Sequence, residues 1–125
     1  MAVVVAIKNA AHVDIEGCDE LITFDSNEVQ AHYLNIELTK TQSCIWAIHG
    51  KNLTYCVTIK NKSTDRVTDL KFYDTLDLGV EYVPGSFRVN GEEVTPDING
   101  RTISYIIPEL ALNQTITICF QVKVL

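Results

Sequence analysis

The sequence has few positively charged residues, and they do not cluster. Ten Lys and Arg stand against sixteen Asp and Glu, which gives a formal net charge of −6 at pH 7. Binding to nucleic acid depends on basic side chains that neutralise phosphates, so this composition indicates that nucleic acid is not a partner. We interpret the acidic surplus as a contribution to solubility.

Long apolar runs are also missing. No run approaches the roughly 18 residues that a membrane-spanning helix needs. The segment from Met1 to Ile7 is too short for a secretion signal, and no basic region precedes it. We therefore expect no membrane span, and no signal peptide is visible.

The patterns that carry catalysis or bind metals are absent as well. There is no nucleophile elbow and no glycine-rich phosphate loop. The four cysteines include no C-x-x-C pair, and the three histidines have no ligand spacing. We expect no enzyme activity, no cofactor and no metal site. Disulfides or unreactive thiols remain as roles for Cys18, Cys44, Cys56 and Cys119.

The chain does contain many short runs rich in Val, Ile and Thr, in which apolar and polar residues alternate. Turn signals such as Asn90-Gly91 separate them, and Pro108 is expected to end one of them. Short strands at this spacing predict an all-β, Ig-like β-sandwich of one domain. The predicted core faces are Leu53, Tyr55, Val57, Ile59, Leu70, Phe72, Asp74, Leu76, Ile103, Tyr105, Ile107, Ile116, Ile118, Phe120, Val122 and Val124.

The stretch from Val3 to Ile15 has the pattern of a strand with one buried face, followed by a turn and a returning strand, Leu21 to Phe24. Every odd position from Val3 to Ile15 is apolar except Asn9. Lys40 and Asp74 likewise fall on predicted core faces, so three polar side chains share a core register. The apolar residues expected to bury this strand are Val3, Val5, Ile7, Val13 and Ile15.

Residues 51–125 resemble the DUF11 repeat domain of bacterial and archaeal surface proteins. The resemblance rests on Leu53-Thr-Tyr-Cys-Val-Thr-Ile-Lys-Asn61, Val67-Thr-Asp-Leu-Lys-Phe-Tyr-Asp-Thr-Leu76 and Gly79-Val-Glu-Tyr-Val-Pro-Gly-Ser86. It extends to Leu38-Thr-Lys-Thr41, which matches the opening strand of such a repeat. The closing elements of the repeat, Lys8-Asn-Ala-Ala11 and Ser26-Asn-Glu-Val29, stand here at the N-terminus instead of the C-terminus.

This order implies that residues 1–33 complete a sandwich and that residues 34–125 form a DUF11-like sandwich lacking its last strands. In one possible arrangement, the open one, residues 1–33 complete the sandwich of a neighbouring copy, and the contact propagates head to tail into a filament. In the other arrangement, the closed one, residues 1–33 fold back on their own domain as a circular permutation, in a monomer or closed dimer. A third possibility is that the chain is a piece of a longer array.

Asn9, Lys40 and Asp74 also resemble the Lys, Asn and acid of isopeptide-forming domains in bacterial surface and pilus proteins. That resemblance implies attack of the amine on the carboxamide, with the acid moving protons, because an apolar pocket favours the neutral amine and the protonated acid. The alternatives are a hydrogen-bonded trio without a covalent bond, Lys40 extending to solvent, or a register one residue out of phase.

The sequence thus predicts a structural, self-assembling protein whose partner is itself, located outside the cell or on a cell or spore surface. The alternative is a monomeric Ig-like adhesion or spacer module. Cys56 and Cys119 are expected outside the core, as surface thiols or ladder partners, and Cys18 and Cys44 as a bond between subunits; four reduced thiols are the other possibility. Trp46, with Ile45 and Ile48, is expected in a loop that packs over one end of the sandwich, and the alternative is an exposed interaction patch.

Overall fold

The computed structural model describes residues 7–17 and 20–125, and within them the chain forms strands and no helix. Most of the connections are short turns. The strands are β1 (Ile7–Asn9), β2 (His12–Glu16), β3 (Leu21–Asp25), β4 (Val29–Ala31), β5 (Ile36–Gln42), β6 (Asn52–Asn61), β7 (Val67–Thr75), β8 (Val80–Tyr82), β9 (Arg88–Val89), β10 (Glu92–Glu93), β11 (Asp97–Asn99), β12 (Thr102–Leu110) and β13 (Thr115–Val124).

Strands β5 to β13 form a β-sandwich, as the sequence predicts. One sheet has the order β10-β9-β13-β6-β5, with β8 also paired to β13, and the other has the order β11-β12-β7. Both contribute alternate residues to one core, which the predicted apolar periodicity places correctly. The buried apolar residues are Leu53, Val57, Ile59, Phe72, Leu76, Phe87, Ile103, Ile107, Leu110, Ile116, Ile118, Phe120, Val122 and Val124.

Phe87 joins the two sheets at the centre of the core. Its ring centroid lies 6.3 Å from that of Phe72 on β7 and 6.1 Å from that of Phe120 on β13. The turn that follows Phe87 is the Asn-Gly hairpin between β9 and β10. Asn90 and Gly91 have φ angles of 51° and 85°, the positive values that a type I′ turn requires at both positions.

Pro108 does not end a strand, contrary to the sequence prediction. It lies inside β12, which continues to Leu110. The neighbouring strand β11 pairs only with residues Thr102 to Ser104, so β12 has a free side at Pro108. Such an edge position tolerates the missing backbone N–H of proline.

Strands β1 to β4 form one kinked hairpin. Within the described residues, it shares no sheet with the sandwich. Strand β2 pairs with β3, and β1 pairs with β4 outside them, so the stretch predicted as one strand is two. Ser26 pairs with Ala11 through its backbone N–H and its hydroxyl, 2.8 Å in each case. One residue, Ala10, separates Ala11 from Asn9 in the first arm of the hairpin, β1 and β2. Two residues separate their partners, Ser26 and Val29, in the second arm, β3 and β4. The extra residue makes a bulge at the break.

Candidate functional site

One side of the sandwich is open between β5 and β7. In the described part of the chain, β5 pairs only with β6, and β7 pairs only with β12. Each strand therefore has an edge with unpaired backbone groups, and the two edges border the same gap between the sheets. A groove of about 230 Å³ occupies part of this gap, lined by Ile36, Leu38, Ile59, Leu70, Lys71, Phe72 and Ile107.

The open side exposes a core-face residue. Leu38 pairs with Ile59 across β5 and β6, so both side chains point to the same face of the sheet. Ile59 is 3% exposed, whereas Leu38 is 60% exposed. The difference arises because the three-stranded sheet covers β6 but does not extend over β5. Leu38 thus lies on the core face of its strand, but no strand of the opposite sheet covers it in the described part of the chain.

Lys40 and Asp74 bridge the same open side. The Lys40 ammonium donates to Asp74 Oδ2 at 2.6 Å, and it lies 4.5 Å from the centre of the Tyr55 ring. The side chain of Asp74 is 15% exposed and that of Lys40 is 44% exposed. Solvent screens a pair at this exposure, so it contributes at most about 1 kcal/mol to stability.

A wider cavity lies beyond this pair, at the end of the sandwich where β5 and β7 finish. Its volume is about 650 Å³, and it is open to solvent. Apolar residues of the core and of the loop after β5 form much of its wall, including Leu53, Leu76, Ile45 and Ala47. The open side therefore offers apolar surface on both sides of one ion pair.

The hairpin carries a matching apolar face. Val13 pairs with Phe24, and Ile22 lies two residues before Phe24, so these three side chains share one face, and all are exposed. The opposite face is mainly polar: His12 Nδ1 contacts Asp25 Oδ1 at 2.6 Å and the Thr23 hydroxyl donates to Asp14 at 2.8 Å, and Leu21, opposite Glu16, is its one exposed apolar side chain among the described residues. Such one-sided strands are stable when a second layer covers the apolar face.

Asn9 is not brought to Lys40 and Asp74 within one chain. It pairs with Val29 in the outer part of the hairpin, and its side chain is exposed. Of the predicted polar trio, the fold therefore unites only the lysine and the aspartate. Among the other predicted strand residues, Val3 and Val5 lie outside the described residues, and only the backbone of Ile7 and Ile15 is described.

The segment after the hairpin is fixed to the sandwich. The Tyr33 amide donates to the Thr64 hydroxyl at 2.9 Å, and the Asn35 amide donates to the Ser63 hydroxyl at 2.8 Å. In return, Tyr33 and Asn35 accept from the amides of Thr64 and Lys62. The hairpin therefore begins directly at the end of the sandwich formed by the β6–β7 loop.

Asn61, which supports this loop, was not singled out as structural by the sequence analysis. It is fully buried, and its side-chain amide donates to the carbonyls of Asp65 at 3.0 Å and Leu110 at 2.9 Å. Its carbonyl accepts from the Ser63 amide at 2.9 Å. The only sequence signal was an Asn inside an otherwise apolar register at a strand end.

Nearby, the ammonium of Lys62, 2.6 Å from Glu37, lowers the pKa of the Glu37 carboxyl below its usual 4.5.

Cys56 and Cys119 form a disulfide between neighbouring strands. They are directly opposite in the β6–β13 register, with their Cα atoms 4.1 Å apart. They are thus ladder partners and do not bridge the two sheets, as their outward parity predicts, and the alternative of reduced thiols is wrong for this pair. Cys44 is a free, exposed cysteine, and Cys18 lies outside the described residues.

The loop between β5 and β6 is more exposed than the sequence analysis predicts. Ile45 is 81% exposed and Trp46 is 71% exposed, and Ile48 also faces solvent. The expectation of a loop tucked over the sandwich end is therefore wrong for these side chains. The chain leaves β5 at Gln42 and reaches β6 at Asn52 through a turn in which Gly50 has a φ angle of 76°.

No family model, curated protein or solved structure matches the chain. No helix of the described residues is long and apolar enough to cross a membrane. In residues 7–17 and 20–125, no three His, Cys, Asp or Glu side chains are grouped as metal ligands.

Proposed function

We propose that this chain is a structural subunit that polymerises head to tail, the hairpin of one copy covering the open side of the next. The main observation behind this proposal is that Leu38, on the core face of β5, is exposed. It lines a groove between the unpaired edges of β5 and β7. An apolar hairpin face in the same chain supplies the missing layer. Buried apolar side chains contribute roughly 1.5–3 kcal/mol each, and this burial drives the association.

The hairpin joins β7 rather than β5. Addition to β5 would lengthen the six-stranded sheet and leave Leu38 exposed. Addition to β7 extends the three-stranded sheet across the gap, so that the hairpin lies over Leu38 and Ile36 of the acceptor. Main-chain hydrogen bonds to the free edge of β7 then add affinity, as in other cases of strand addition.

The lengths and side-chain patterns of the two strands support one register. Antiparallel pairs are the commoner arrangement, and the nine residues of β7 are close in number to the ten of the first arm of the hairpin, which runs from Ile7 to Glu16 through β1, the break at Ala10 and Ala11, and β2. With Asn9 opposite Asp74, Val13 lies opposite Leu70, so the apolar face of the hairpin and the core face of β7 coincide. The second arm then runs parallel to β7 and leaves the acceptor at the end marked by Thr75.

This register also brings a neighbour's Asn9 beside Lys40 and Asp74, because directly opposite residues have Cβ atoms about 4.5–5.5 Å apart. The resemblance to isopeptide-forming domains then becomes a chemical proposal. The Lys40 ammonium first transfers one proton to Asp74, and the resulting amine attacks the Asn9 carboxamide carbon. Asp74 gives that proton to the departing nitrogen and takes a second one from the lysine nitrogen, so that a Lys–Asn amide forms and ammonia leaves.

The proposed setting is a filament outside the cell or on a cell or spore surface. The Cys56–Cys119 disulfide supports an oxidising environment, because such bonds persist mainly in secreted and surface proteins. A monomeric spacer or adhesion module, closed by its own hairpin, is the alternative. In that alternative Leu38 is covered as well, so the filament and the monomeric module are distinguished by the size of the particles that the chain forms.

Size-exclusion chromatography and negative-stain microscopy of the full chain test this function. We expect open-ended filaments from the wild type and from Thr39→Asp, whose change lies on the outer face of β5. Leu38→Asp should remain folded, because Leu38 is exposed in the single chain, yet form no filaments. A wild-type protein that is a discrete monomer at all concentrations would contradict the proposal and favour the closed module.

A further inference from the structure

The exposed loop between β5 and β6 has no role in covering the groove. Ile45, Trp46 and Ile48 are all exposed, in a loop at the end of the sandwich where β5 and β7 finish. A second exposed apolar pair, Tyr33 and Leu34, lies at the opposite end, beside the β6–β7 loop. Exposed large apolar side chains grouped in this way mark an interaction surface.

The proposed register brings these two ends together in neighbouring copies. The second arm of a donated hairpin leaves the acceptor at its Thr75 end, which is also the end that carries Trp46. Strand β4 stops at Ala31, and the Tyr33 amide is already bonded to Thr64 of the donor's own sandwich. Two residues of extended chain span only about 7 Å.

So short a connection leaves no room for a solvent layer between the two sandwiches. The donor's sandwich must stand directly on the end of the acceptor, with Tyr33 and Leu34 facing the acceptor's loop. The hydrogen bonds of Tyr33 and Asn35 prevent this connection from lengthening without loss of structure.

We propose that the loop holding Ile45, Trp46 and Ile48 is a docking surface for the Tyr33–Leu34 end of the next copy. This inference rests on the proposed head-to-tail assembly and assigns the contact between successive sandwiches. The contact sets the angle between subunits, because a hairpin alone would act as a hinge at Ala31. Aromatic residues such as Trp46 commonly act as such anchors at the centre of interfaces.

Trp46 is the only tryptophan, so its fluorescence reports on this surface directly. In wild-type filaments we expect its emission to shift to shorter wavelength and its quenching by acrylamide to fall, relative to the Leu38→Asp chain that does not assemble. Microscopy of the same samples measures assembly separately. Filaments whose Trp46 emits and quenches like that of the unassembled chain would overturn the docking surface and leave the head-to-tail function standing.

Matched variants identify the partner end. Leu34→Glu should lose the emission shift in its filaments, or fail to form them, although its hairpin and groove are unchanged. Ile106→Glu places the same charge on the outer face of the three-stranded sheet, opposite Lys71, and should behave as the wild type. Leu34→Glu filaments with a full Trp46 shift would overturn the proposal, and a wild type without filaments would overturn both it and the proposed function.

Discussion

Val13 lies directly opposite Phe24 in the hairpin, and the two side chains are 61% and 59% exposed. A cross-strand apolar pair of this kind normally packs against a second layer. The polar face of the same hairpin is internally satisfied by the His12–Asp25 and Asp14–Thr23 contacts. Within residues 7–17 and 20–125, the polar side chains of one face thus pair with each other, whereas nothing packs against the apolar side chains of the other face.

A charge on the apolar face of the hairpin should abolish assembly. We expect Phe24→Lys to remain folded, because Phe24 is exposed in the single chain, and to form no filaments, because the lysine would be buried in the acceptor. Thr23→Lys places the same side chain on the polar face, next to Asp14, and should assemble. Sedimentation and negative-stain microscopy of the two variants make the comparison.

The two variants also distinguish strand donation from association through another surface. Filaments formed equally well by Phe24→Lys would mean that the apolar face of the hairpin is not buried in the polymer. Loss of filaments in both variants would indicate damage to the hairpin itself, which circular dichroism and urea unfolding would then reveal.

If the proposed Lys40–Asn9 bond forms, we expect a covalent ladder that resists both detergent and reductant. Each link should lower the mass of the joined chains by one ammonia. Lys40→Arg keeps the positive charge beside Asp74 but should abolish the ladder, whereas Lys123→Arg, at an exposed position on β13, should keep it. Asp74→Ala should also abolish it.

Mass spectrometry of the polymer decides the matter. A peptide containing Lys40 joined to one containing Asn9 is the expected product. Filaments that dissociate completely to chains of unmodified mass would remove the covalent step while leaving the non-covalent assembly intact.

Local sequence patterns predict the sandwich well, but they do not predict which layer covers each face. The alternation from Leu53 to Ile59 and from Ile116 to Val124 places core residues correctly because both strands are covered by the opposite sheet. The same alternation places Leu38 and Asn9 in a core register, yet both are exposed in the single chain. Periodicity reports the face of a strand, whereas burial depends on what packs against that face.

Two other differences have local causes. Pro108 was expected to end a strand, but β11 is short enough to leave β12 a free side at that residue. For Trp46, a loop packed over the sandwich was preferred to an exposed interaction patch, and the side chain is 71% exposed. No sequence pattern shows whether a loop packs on its own domain or on another copy.

Asn61 should be a stability determinant independent of assembly. Asn61→Ala removes two donors and one acceptor from a fully buried site, which leaves Leu110, Asp65 and Ser63 backbone groups unpaired. Each buried group without a partner costs about 1–3 kcal/mol. We therefore expect the free energy of unfolding to fall by on the order of 3 kcal/mol, measured by urea denaturation in the non-assembling Leu38→Asp background. The exposed Asn52→Ala is the control and should change it by less than about 0.5 kcal/mol.

We expect Cys18 and Cys44, the two cysteines outside the β6–β13 disulfide, to join copies that do not exchange a hairpin with each other. In the proposed register Glu16 lies opposite Val67, at one end of the acceptor, and Cys18 follows Glu16 by two residues in the sequence. Cys44 follows β5 at the other end, about 27 Å away along β7. A disulfide needs Cα atoms roughly 4.4–6.8 Å apart, so a donor cannot be bonded to the Cys44 of its own acceptor.

In the proposed assembly, however, the Val67 end of each acceptor stands on the loop end of the copy before it. A Cys18–Cys44 bond would therefore connect copies two positions apart, and it would form only in the polymer. We expect oxidised wild-type filaments to give a ladder on electrophoresis without reductant, and Cys44→Ser and the non-assembling Leu38→Asp to lose it. The double variant Cys56→Ser, Cys119→Ser should keep the ladder, because that disulfide lies within one chain. An unchanged ladder in Cys44→Ser, or a wild type that runs as monomer without reductant, would show that Cys44 joins no subunits.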